Sequence, residues 1–197
     1  KKTADIQLLK IISKNKLKIK VKNEIFYFFT KNITNNFIKN ILACISLLFV
    51  LNLKLRKMYK KIENFKIPSG RGDINTGKIA NKKFKFMDES YNANPLSMKS
   101  AIKNVSNYKR LSNSKKIIFL GDMLELGKKS ANLHKELSFE INKSDIDKVF
   151  VYGKYIKETY NFLSLSKKGK VFSNLKEAHN HLGKIIHNND LLMVKGS

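Results

Sequence analysis

The sequence predicts an α/β fold, a mostly parallel sheet with flanking helices, preceded by a separate N-terminal segment. Three observations predict it. From Lys83 onward, short apolar runs alternate with helical patterns, which is how right-handed crossovers build a parallel sheet. Some of these runs, such as Lys116 to Gly121 (KIIFLG), hold an unbroken apolar stretch, as strands covered on both faces do. The strongest break in the chain, Pro68-Ser69-Gly70-Arg71-Gly72, divides it into residues 1–66 and 67–197.

Before the break, Leu17 to Val21 (LKIKV) and Ile25 to Phe29 (IFYFF) read as strands joined through Lys22-Asn23-Glu24. Asn36 to about Leu53 reads as a helix, and a second, amphipathic one is predicted near Lys54 to Asn64. After the break, Lys83 to Asp88 (KFKFMD) is a strand, and Pro95 is suited to the first position of a helix running to about Tyr108. A strand at Lys116 to Gly121 and a helix from about Ser130 to Asn142 come next, then strand Lys148 to Tyr152 and a further helix. Strand Lys170 to Phe172, helix Leu175 to His187 and strand Leu191 to Val194 (LLMV) complete the pattern. Ligands of such sheets sit at the carboxyl ends of the strands. The polar residues after each strand are therefore the functional candidates: Glu89 to Asn94, Asp122 to Glu125, Gly153-Lys154 and Lys195 to Ser197.

Composition narrows the function classes. Of 197 residues, 40 are Lys or Arg and 15 are Asp or Glu, a net charge of +25, while 42% hydrophobic residues suffice for a core. Such a charge raises a basic module that binds nucleic acid or acidic lipid. Yet only Arg56, Arg71 and Arg110 are arginines, and Lys, Asn and Ile share A/T-rich codons, so base composition accounts for the bias without a partner. The apolar run Ile41 to Leu53 is 13 residues, short of the ~20 that span a bilayer, and reads as a buried helix. The sole cysteine, Cys44, excludes an internal disulfide and a Cys-based zinc site. His179, His181 and His187 have no partner at metal-ligand spacing, so no metal site is assigned. The chain opens Lys1-Lys2-Thr3 without an initiator Met, as a fragment or a processed product would.

Gly72 to Ile79 nearly matches a phosphate-binding loop, but Ile79 replaces the hydroxyl residue and no apolar strand precedes it. Asn75-Thr76-Gly77 is instead expected to form a hairpin turn. Asp88-Glu89-Ser90-Tyr91-Asn92-Ala93-Asn94-Pro95 places two acids, hydroxyls and two amides between a strand and a helix N-terminus. Asn94 can cap that helix, but capping requires neither the acids, the Tyr nor the first Asn. Gly121-Asp122-Met123-Leu124-Glu125-Leu126-Gly127 follows its strand in the same way, with His134 on the next helix. His134 alone reads more readily as a packed or surface histidine.

Ser69 to Gly72, Asp88 to Met98 (DESYNANPLSM), Leu120 to Gly127 (LGDMLELG) with His134 beyond, and Val194 to Ser197 (VKGS) together resemble the C-terminal part of the bacterial Mur ligases. Tyr91 to Pro95 fits the branch that adds D-alanyl-D-alanine to UDP-N-acetylmuramoyl-tripeptide, since other branches carry a His-containing version there. The resemblance implies a cytoplasmic three-domain enzyme of peptidoglycan synthesis that uses ATP and Mg2+ and proceeds through an acyl phosphate. Residues 1–66 would be the end of the central ATP-binding domain and 67–197 most of a closing Rossmann-like domain. It further implies nucleotide contacts from Asn40, Arg71 and either Asp88 or Glu89. Substrate contacts would come from Tyr91, Asn92, Asn94, Asp122, Glu125, His134, Lys195 and Ser197. The family's Gly-x-His-Asn context is degraded here to Thr34-Asn35-Asn36-Phe37-Ile38-Lys39-Asn40, and the chain stops where the family continues with a final helix. The true P-loop, the magnesium ligands and the central-domain lysine would lie outside this chain, and the chain alone is expected to be inactive.

Overall fold

The structure, a computed structural model, describes residues 4–13, 15–30, 35–64, 68–79 and 81–197. Lys1-Lys2-Thr3 and Thr34, used above, lie outside the described residues. The chain divides into two compact units, Lys1–Lys66 and Ile67–Ser197.

In the first unit, β1 (Ile6–Ser13), β2 (Lys16–Val21) and β3 (Glu24–Phe29) form an antiparallel sheet in that order. Period-two alternation buries Leu17, Ile19 and Val21 of β2 and turns its lysines outward. Two helices follow, α1 (Asn35–Val50) and α2 (Leu55–Glu63). Helix α1 buries Phe37, Ile38, Ile41 and Ile45 and packs on β1. It ends before Leu53, where Asn52 takes a left-handed backbone (φ 53°). Among the described residues no helix is long and apolar enough to cross a membrane. Strand β1 has no counterpart in the sequence reading. Its register against β2 slips twice, between Leu8 and Lys10 and between Ile11 and Ser13, which erases the alternation that marks a strand.

The second unit contains β4 (Asp73–Ile79), β5 (Lys82–Asp88), α3 (Pro95–Asn107), β6 (Lys116–Leu120), α4 (Ser130–Asn142), β7 (Lys148–Val151), α5 (Ile156–Asn161), β8 (Lys168–Val171), α6 (Leu175–Ile185) and β9 (Leu191–Lys195). The six strands lie in the order β4-β5-β9-β6-β7-β8, all parallel except the edge strand β4. Alternate residues feed two cores. Met87, Ile118, Leu120, Val149, Val151 and Met193 meet α3, α4 and α5, while Phe84, Ile117, Phe150 and Leu192 meet α6. The predicted α/β architecture is thus a three-layer sandwich, as the expected parallel sheet requires.

One expectation is overturned. Asn75-Thr76-Gly77 is not a turn; it lies inside β4, with Gly77 opposite Phe84. A Cβ on Gly77 would stand 2.5 Å from Cζ of Phe84, so the glycine makes room for a ring that packs across it. The same extended pairing shows that Gly72 to Ile79 is no phosphate-binding loop. Gly77→Ala should therefore destabilise the second unit by about 1–3 kcal/mol through overpacking, read as a lower urea midpoint.

Candidate functional site

The carboxyl ends of β5, β6 and β9 meet along one rim. Its centre is Lys195, the last residue of β9, which is 2% exposed. Its Nζ donates to the carbonyls of Asn92 (2.9 Å) and Glu89 (3.2 Å) and lies 3.6 Å from Oε2 of Glu89. The two strands are also laced by backbone, Glu89 N–H donating to the Val194 carbonyl at 2.9 Å. Burial pushes the Glu89 carboxyl above the ordinary glutamate value, and the Lys195 ammonium opposes that rise. Burial likewise pushes Lys195 below the ordinary lysine value, with Glu89 opposing.

Ser197 continues the seam. Its N–H donates to the Asp122 carbonyl (3.0 Å), and its Oγ accepts from Ala93 N–H (2.9 Å) and lies 3.4 Å from Oδ1 of Asn92. Below it the backbones of Gly121 and Gly196 touch. A Cβ on Gly196 would stand 3.0 Å from the Gly121 Cα and one on Gly121 3.3 Å from the Gly196 Cα, so a side chain at either position would press on the facing backbone. The Asp122 carboxylate accepts the N–H groups of Lys154 (2.8 Å), Tyr155 (3.0 Å) and Ile156 (2.7 Å), tying the β6 loop to the segment after β7. His134 is fully buried. Its Nε2 accepts from Met123 N–H at 2.9 Å, so the proton sits on Nδ1, which donates to the Ser130 carbonyl at 2.7 Å.

At the other side, Gly72 N–H donates to the Asp88 carbonyl (2.7 Å) and Tyr91 N–H to the Gly70 carbonyl (3.1 Å). Asp88 Oδ1 accepts from Ser90 N–H and Oγ, and Oδ2 lies 3.4 Å from Ser69 Oγ. The Arg71 guanidinium stacks 4.1 Å over the ring of Tyr91, which is 65% exposed.

Arg71, Asp88, Glu89, Tyr91, Asn92, Asp122, Lys195 and Ser197 are therefore joined through this chain of contacts. Their orientations divide them. Lys195, Asp122 and His134 direct their polar atoms to hydrogen bonds within the protein, where they tie neighbouring loops together. Asn94 caps α3, its Oδ1 accepting from Ser97 N–H at 2.8 Å while Ser97 Oγ accepts from Asn94 N–H at 3.0 Å, a capping box. Arg71, Tyr91, Asn92 and Glu125 remain exposed, Glu125 on a left-handed backbone (φ 62°). Asn40 is exposed on α1, in the first unit. The sequence reading missed the Gly121–Gly196 contact; its signal was a glycine immediately after each of two apolar strands.

A family model described as the Mur ligase, glutamate ligase domain matches residues 75–197. This chain belongs to the Mur ligase family. Among its Mur ligase relatives is the UDP-N-acetylmuramoyl-tripeptide–D-alanyl-D-alanine ligase of Rickettsia prowazekii, 29% identical over 84% of this chain and 35% of the relative. The enzyme of the same name from Buchnera aphidicola subsp. Baizongia pistaciae is 33% identical over 80% of this chain and 32% of its own length. The chain thus spans about a third of the curated relatives it matches. The crystal structure of MurF ligase from Thermotoga maritima in complex with ADP shares the fold at a TM-score of 0.75 and 19% identity, covering 98% of this chain and 43% of that one.

Two measurements check the inward role of the Mur ligase rim residues. Glu89 should titrate above the ordinary 4.5 by carboxyl-carbon NMR, and Lys195→Met should raise it further by removing the opposing ammonium. The stability from this raised value is present below pH 4.5 and is lost as pH rises through the folded value. His134→Phe keeps the ring but leaves the Met123 N–H unpaired, and should cost about 2 kcal/mol in chemical denaturation.

Proposed function

We propose that the chain works within a cytoplasmic ATP-dependent ligase that joins D-alanyl-D-alanine to UDP-N-acetylmuramoyl-tripeptide in peptidoglycan precursor synthesis. The observation that carries this reading is the coincidence of relatives bearing that name with a rim whose exposed groups are Arg71, Tyr91, Asn92 and Glu125. On this reading residues 1–66 are the end of the central ATP-binding domain and 67–197 the closing domain.

Ligation through an acyl phosphate needs the phosphates neutralised and the incoming amine held against the activated carbonyl. The exposed Arg71 fits a phosphate contact, and its stack on Tyr91 orients the guanidinium. Asn40 is assigned to the adenine side of the nucleotide. The Asn92 carboxamide and Glu125 carboxylate are assigned to the polar ends of the dipeptide, on loops held from beneath by Lys195, Ser197 and Asp122. Of the two acids proposed for the ribose, Glu89 faces Lys195 and Asp88 faces Ser90.

Magnesium does not fit this rim. The carboxylates of Asp88, Glu89 and Asp122 are engaged by Ser90, Lys195 and three backbone N–H groups, respectively. No step is assigned to the ion here. Arg71 is assigned to the phosphates of ATP, while the loop-like string Gly72 to Ile79 is taken up mainly by β4.

The reading is tested by a chimera in which residues 67–197 replace their counterpart in the Rickettsia prowazekii relative. Phosphate release requiring both the tripeptide precursor and D-alanyl-D-alanine is expected, reduced at least tenfold by Arg71→Ala. A folded chimera that accepts a different amino acid in place of the dipeptide would overturn it.

A further inference from the structure

We propose that the outward face of the β1-β2-β3 sheet binds single-stranded nucleic acid. This face belongs to the first unit.

The charge is unevenly distributed. Residues 1–66 hold 16 Lys or Arg against 3 acids, a net +13, while the remaining 131 residues hold 24 against 12, a net +12. Net charge per residue in the first is about twice that in the second, chiefly because the first holds so few acids. The fold then concentrates part of it on one surface. Leu17, Ile19 and Phe28 are fully buried on the inner face, so their neighbours in the alternation point out. The antiparallel register sets Lys16 opposite Phe29, Lys18 opposite Tyr27 and Lys20 opposite Ile25. A row of three lysines thus runs beside an apolar row in which Tyr27 is 42% and Phe29 48% exposed. Lys16 Nζ lies 5.1 Å from the Tyr27 ring centroid and 4.9 Å from that of Phe29. Lys10, opposite Lys18 on the other side, adds a fourth cation.

This combination selects the partner. Cations two residues apart along a strand recur every ~6.8 Å, matching the phosphate repeat of an extended single strand. Exposed rings beside them offer base-stacking platforms, which a paired duplex cannot use because its base faces are covered. A cavity of about 470 Å3 between β3 and α2, lined by Tyr27, Arg56, Lys57 and Lys60, continues the basic surface past the sheet edge. The acid at that edge, Glu24, is paired with Arg56 at 3.4 Å and is partly neutralised towards a phosphate. An acidic lipid surface would engage the lysines but presents no base faces to the Tyr27 and Phe29 rings.

The test is fluorescence anisotropy of the full chain with a labelled oligothymidylate across a salt series. Four contacting lysines predict a log–log slope of about −3, and Lys16→Ala with Lys18→Ala should make it shallower by about 1.4. Tyr27→Leu should weaken binding about tenfold, whereas Tyr27→Phe keeps the ring face and should leave it unchanged. Circular dichroism melts verify each variant's fold. Should a variant fail to fold, amide shifts of the wild-type chain on titration with the same oligomer must concentrate at residues 16–29. Equal affinity for the Tyr27→Leu variant, an unaltered salt slope, shifts scattered over both units, or binding to phosphatidylserine vesicles without binding to the oligomer would each overturn the proposal.

Discussion

The rim of the second unit depends on one of the two buried lysines among its described residues, Lys195. An ammonium removed from water is costly unless its hydrogens find acceptors and its charge a counter-ion. Lys195 finds all of these in one short loop, the carbonyls of Glu89 and Asn92 together with the Glu89 carboxylate. The loop follows β5 and the lysine ends β9, so meeting the needs of the charge also fixes two neighbouring strand ends to each other. Ser197 then fixes the same loop to the end of β6, and Asp122 carries the connection to the segment after β7. Three successive structural joints run through this buried group and the polar atoms nearest it.

This arrangement separates two jobs that the primary structure mixes. Charged and amide side chains at strand ends suit ligand binding, and the Mur ligase resemblance implies that use for most of them. In the fold, several face inward and hold loops, while a smaller group that includes Arg71, Tyr91 and Glu125 stays exposed. An internal support cannot be exchanged without moving the loop it holds, so its identity is as constrained as that of a contacting residue, for a different reason.

How much of this was legible in advance varies with the range of the interactions. Helix α4 was read to the residue, and β6 nearly so, because amphipathic spacing and an unbroken apolar run are local properties. The rim's membership was legible as well, since it follows from where strands end. The individual roles were not. Asp122 binds amides 32 to 34 residues away, and Lys195 a carbonyl 106 residues away, distances at which no spacing rule applies. Asn75-Thr76-Gly77 misled for a related reason: glycine marks turns, but here it answers to a phenylalanine on the next strand. Strand β1 was hidden by its own irregular register.

The contact between Gly121 and Gly196 has a mechanical consequence. Two main chains pressed together without intervening side chains have no rotamers to rearrange and no slack to take up, so the floor of the rim behaves as a rigid plate. Adaptation to a bound molecule then falls to the side chains above it, the guanidinium on its aromatic cushion and the amide and acid beyond. Recognition by this unit is accordingly a matter of side-chain torsions over that floor, and each group engaged gives up its own rotamer freedom.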